Sequence, residues 1–163
     1  MSVKKFTLKT LITASLLLTL SAAIAEEDQA SWLFVQTAAE FTSDGDTLTI
    51  PYEREIFAFT DRPNRKHAYL NAMELTSLWN TGENNFGENP PNAVLTWVED
   101  GEIREAEIML TAAQVGDQGR SITYQFQFEA GHEVPASAQR ASLFIDPYMS
   151  NSEIMAREIT GQG

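Results

Sequence analysis

Along much of this chain apolar residues recur at every second position, the spacing of a β-strand that buries one face. The run over 121–129 is the strictest: Ile122, Tyr124, Phe126 and Phe128 fall on one side, and Thr123, Gln125 and Gln127 on the other. A sequence with this period cannot hold a helix with one apolar stripe, so it commits the chain to sheet. The clearest hairpin follows from the same logic. Two β-patterned runs, 93–99 and 102–110, flank Asp100-Gly101. An Asp-Gly pair in a two-residue loop favours a type I′ turn, whose twist matches that of the strands. Further strands are expected over 31–37, 47–50, 55–60 and 141–146, the last stopped by Pro147. Ser43-Asp44-Gly45-Asp46 supplies a turn between the first two.

One helix interrupts the strands. Asn71 can cap it, Glu74 stands three residues later as a capping box requires, and Met73, Leu75, Leu78 and Trp79 give an apolar stripe that ends near Thr81-Gly82. A polar stretch without period, 83–92, leads from there to the hairpin. About seven short strands and a single helix predict a mainly β fold: a small antiparallel β-sandwich or partly open barrel with one short helix insertion.

The N-terminus has another character. Lys4, Lys5 and Lys9 precede an apolar run over 11–20, and Ala23-Ile24-Ala25 then offers the small-x-small pattern of a signal peptidase site. The apolar run is about half the roughly 20 residues needed to cross a bilayer. Residues 1–25 are therefore expected to be a cleaved Sec-type leader, with cleavage after Ala25 and a periplasmic or secreted product. Residues 26–146 are expected to form a single β-rich domain, and 147–163 a tail that is weakly helical or disordered. With no Cys in the chain, neither a disulfide nor a lipidated cysteine can hold the product. Of the 11 basic residues three lie in the leader, which has none of the 23 acidic ones, so the remainder carries a net charge of −15. Such a field disfavours nucleic acid and anionic membranes as partners.

Against this acidity, Asp61-Arg62-Pro63-Asn64-Arg65-Lys66-His67 gathers three of the eight basic residues that follow the leader. It lies between a strand and the helix, in a loop at a sheet end, where binding residues collect. Arg62 and Arg65 can fork onto a carboxylate or another anion, with Lys66 and His67 beside them. The alternatives are that Asp61 caps the loop and pairs with Arg62, or that the cations answer the protein's own carboxylates. Phe86, an aromatic residue inside the polar stretch, is expected either to plug the domain or to meet a partner. Trp32, Trp79, Trp97, Tyr69 and Tyr124 are candidates for core or for an apolar pocket.

Other chemistry has thinner support. His67, His132, Met149 and Met155 are the potential ligands of a metal-handling protein, without any recognisable spacing. Asp44-Gly45-Asp46 lacks the remaining positions of a calcium loop. No nucleophile elbow, zinc-protease motif or phosphate-binding loop occurs. A hydrolase would have to combine His132 with Ser137 or Ser142. No cofactor is called for.

Three stretches carry a resemblance. They are Phe59-Thr60-Asp61-Arg62-Pro63 with Arg65 and His67, then Trp79 with Phe86 and Pro90-Pro91-Asn92-Ala93-Val94-Leu95, and Ala141-Ser142-Leu143-Phe144-Ile145-Asp146. On these the chain resembles a group of small uncharacterised exported bacterial proteins. The resemblance implies export and the β-rich fold, draws attention to Arg62, Arg65 and His67, and brings no activity with it. The function expected is that of an exported, non-enzymatic β-domain binding a small ligand or a protein partner. A periplasmic metal-handling protein and a hydrolase are the alternatives.

Overall fold

The structure, a computed structural model, describes residues 31–147. Residues 1–30, which include the expected leader, and 148–163, which include Met149 and Met155, lie outside the described residues. Eight strands make one sheet: β1 (Trp32–Asp44), β2 (Thr47–Pro51), β3 (Ile56–Thr60), β4 (His67–Leu70), β5 (Asn92–Glu99), β6 (Glu102–Gly116), β7 (Ser121–Gly131) and β8 (Ser137–Asp146). Helix α1 (Ala72–Ser77) lies between β4 and β5.

The strand order β2-β7-β6-β5-β8-β1 returns to β2, so six antiparallel strands close into a barrel. Of the two architectures expected, the barrel is the one that forms, and it is closed rather than partly open. Closure leaves its six strands no free edge over their paired lengths. β1 makes this possible because it is 13 residues long and serves two neighbours on the same side. Its C-terminal end pairs with β2 from Thr42 to Asp44, and its N-terminal end pairs with β3 from Trp32 to Val35. β3 in turn carries β4 as the last strand. The β3–β4 hairpin is therefore a flap attached to one end of the barrel.

Alternation sets what is buried. Leu95 and Trp97 from β5, Ile108 and Leu110 from β6, Ile122 and Tyr124 from β7, and Leu143 and Ile145 from β8 all point inward and are buried. Burying such a side chain contributes roughly 1.5–3 kcal/mol. The hairpin over Asp100-Gly101 forms as expected, with Glu99 opposite Glu102 and positive φ at both turn residues, 52° and 81°. Gly101 suits that backbone because it has no Cβ to clash.

Helix α1 packs against β4 of the flap and against β6 and β7 of the barrel. The capping box is present: Asn71 Oδ1 accepts from Glu74 N–H at 2.9 Å, and Glu74 Oε2 accepts from Asn71 N–H at 2.7 Å. Leu75, Leu78 and Trp79 are buried, and the Trp79 indole N–H donates to Leu110 O at 3.1 Å. Four expectations need correction. The helix is shorter than its apolar pattern, since Leu78 already caps it. Met73 is 73% exposed, because the first turn turns that position outward while Leu75 and Leu78 face the barrel. His67, expected to close the loop, instead opens a strand over 67–70 that pairs with β3. Phe128 is 48% exposed despite its place in the alternation. β2 covers β7 only from Ser121 to Gln125, so Phe128 has passed the strand that would flank it.

Candidate functional site

The expected binding loop is the turn of the flap. Asp61, Arg62, Arg65, Lys66 and His67 are all exposed. Buried Thr60 anchors the turn from below: its N–H donates to Lys66 O at 2.9 Å, and its hydroxyl oxygen accepts from Lys66 N–H at 2.8 Å. Asp61 Oδ1 accepts from the Arg62 backbone N–H at 2.6 Å, and Arg65 N–H donates to Asp61 O at 3.2 Å. Arg62-Pro63 is cis, and Arg65 has φ of 49°. Asp61 therefore caps the turn through backbone groups, and its carboxylate does not neutralise the Arg62 guanidinium. Among the described residues, ion pairs engage Arg104 and Arg120, and none engages Arg62, Arg65 or Lys66. Three cations thus project from an acidic protein without an ion-pair partner among the described residues.

What lies beside them was not legible beforehand. The inner face of the flap (Ile56, Ala58, Leu70) is buried. Its outer face carries Phe57, Phe59, His67 and Tyr69, with the Phe57 ring 5.6 Å from Phe59, 6.5 Å from His67 and 5.3 Å from Tyr69. The strand register extends this face across the sheet. Tyr69 is opposite Phe57, Phe57 opposite Val35, Val35 opposite Phe144, and Phe144 opposite Val94. One apolar row therefore crosses five strands on the outside of the protein, with Tyr69 63% and Phe144 45% exposed. A second short row, Leu33-Phe59-His67, leads from it towards the turn. Contiguous exposed apolar surface of this kind marks a contact surface more often than scattered single residues do.

Phe86 is not part of that face. It is 1% exposed, with its ring 6.2 Å from Phe34 and 5.0 Å from Trp79. Of its two expected roles the structure gives the plug, and Phe86 leaves the set of ligand-contacting candidates. The polar stretch is shaped to seat it. Asn85 Oδ1 accepts from the N–H groups of Gly87 and Glu88, at 3.0 and 3.1 Å, and Phe86 N–H donates to Leu78 O at 2.9 Å. A Cβ at Gly87 would stand 2.6 Å from Trp79 O, so only glycine permits this close approach.

Inside the barrel, the Tyr124 hydroxyl donates to Gln36 Oε1 at 2.6 Å, and both residues are buried. Burial pushes the Tyr124 phenol far above its usual range. Trp32, Trp79, Trp97 and Tyr124 are core residues, and of the aromatic candidates only Tyr69 is open to solvent.

The two histidines have different surroundings. His67 sits on the aromatic face. His132 is exposed, with Nε2 3.4 Å from Arg104 Nη1, Nδ1 3.3 Å from Glu105 O and its ring 6.4 Å from Trp97. These contacts do not join His132 to Ser137 or Ser142. Among the described residues no group of three or more His, Cys, Asp or Glu converges. Asp44-Gly45-Asp46 is the β1–β2 turn, with Gly45 at φ 62°.

Compared with protein-family models, with curated proteins and with solved structures, the chain finds no match.

Proposed function

We propose that this is an exported, non-enzymatic binding domain whose contact surface is the outer face of the flap and its continuation over β1, β8 and β5. The occupant is a protein segment that presents apolar side chains between carboxylates. The single observation that carries the reading is the registered row Val94-Phe144-Val35-Phe57-Tyr69, which the shorter row Leu33-Phe59-His67 connects to the turn and its three unpaired cations. Aromatic residues and arginine are the side chains on which interface energy concentrates. Charge complementarity selects the partner: an acidic segment gains from Arg62, Arg65 and Lys66, while a basic one does not. The barrel and its plug form the rigid support.

The test is a double substitution, Arg62→Ala with Arg65→Ala, assayed by fluorescence anisotropy with a short peptide that alternates Glu with Phe and Leu. Affinity should fall tenfold or more, the size of loss typical when about 1.4 kcal/mol of contact is removed. Thermal stability should stay within about 1 kcal/mol, because both side chains are exposed and unpaired. An unchanged affinity would refute the reading, and a large loss of stability would show that the cluster serves the fold.

A further inference from the structure

A second site follows from the geometry of β1. β3 pairs with it no further than Val35, and β2 joins only at Thr42. Between these points one edge of β1 has no strand beside it, and the linker from Pro51 to Ile56 crosses the gap. Glu53 reaches back from that linker, and its Oε2 accepts from Ala39 N–H at 3.2 Å, where a strand carbonyl would otherwise lie. A notch of about 350 Å³ remains, near the lower end of the range for small-molecule sites. Two arginines line it, Arg54 from the linker and Arg140 from β8, beside Thr37 and Ser142.

Three features distinguish this notch from ordinary charged surface. Neither Arg54 nor Arg140 makes an ion pair among the described residues, although the chain is rich in carboxylates. Its one carboxylate, Glu53, bonds Ala39 and lies within ion-pair distance of neither arginine. Arg140 also holds φ of 58°, at the point where the β5–β8 register shifts between Thr96 and Val98. Glycine would adopt that conformation without steric cost, yet an arginine occupies it. A bulge of this kind re-aims a side chain, here towards the notch.

We propose that the notch binds a small carboxylate-bearing molecule, its carboxylate held by Arg54 and Arg140. A guanidinium offers parallel N–H donors that match the two oxygens of a carboxylate. The site is separate from the cationic turn and does not depend on the function proposed above.

The experiment is an amide NMR titration of the protein with acetate, with sodium chloride at matched ionic strength and inorganic phosphate as comparisons. Acetate should give saturating shifts at Ala39, Ala141 and Ser142, and chloride should not. Arg140→Gly should abolish saturation while leaving the melting temperature equal or higher, since glycine relieves the backbone at that position. Arg54→Gln should weaken binding at least tenfold. Shifts that stay linear in acetate, or that saturate equally in the Arg140→Gly variant, would overturn the proposal. Saturation by phosphate but not by acetate would overturn the assignment to carboxylates.

Discussion

Phe86→Ala should cost about 3–5 kcal/mol of folding stability, the range for removing a fully buried aromatic ring. The side chain is 1% exposed and meets both Phe34 and Trp79 edge to face. The polar stretch around it is fixed by Asn85 and by the close approach of Gly87 to Trp79, so it cannot collapse easily into the space left. Urea unfolding checks this directly. A loss near zero would mean that the flap end of the barrel is not sealed by this residue. Phe86→Ala should also leave the exposed row in place in the molecules that remain folded, so peptide affinity should change far less than stability.

Tyr124→Phe should cost about 1–3 kcal/mol, because it strands the buried Gln36 Oε1 without its donor. The variant also tests a pH effect. The phenol is neutral when protonated, and burial raises its folded pKa above the ordinary 10.0. The unfolded chain therefore releases this proton first as pH rises. The stability tied to Tyr124 is complete below pH 10 and declines above it, by up to about 1.4 kcal/mol per pH unit. Tyr52 is displaced in the same direction, by burial first and then by the carboxylates of Glu55 and Glu74. Denaturant melts at several alkaline pH values should show a shallower decline for Tyr124→Phe than for the wild type. Equal slopes would contradict a buried, neutral phenol. Replacing Gln36 by Leu in the same variant removes the stranded acceptor and should recover much of the neutral-pH loss.

Elements whose signals are local were legible in the sequence. The Asp100-Gly101 hairpin, the Asn71–Glu74 capping box and the 121–126 alternation depend on neighbours a few residues away, and each forms as read. The turn cations were also legible, because basic residues stand out in an acidic chain. The aromatic row was not. Val35, Phe57, Tyr69, Phe144 and Val94 come from five strands, and only the strand order and register bring them together. β3 hid its own part, since Ile56-Phe57-Ala58-Phe59 is apolar on both faces and alternation cannot say which face is buried. β4 escaped notice because it is four residues long and follows a charged turn directly. The notch was illegible for a similar reason: it exists only because β2 and β3 leave β1 at different points.

The most direct test of the proposed contact surface is to map where the Glu/Phe/Leu peptide lands, by amide NMR on the wild-type protein. The account predicts shifts at Val35, Phe57, Tyr69, Phe144 and the 61–66 turn, with Ala39 and the β6–β7 surface unmoved, and none with the same peptide carrying Lys in place of Glu. Shifts centred elsewhere on the barrel, or equal shifts from both peptides, would contradict it.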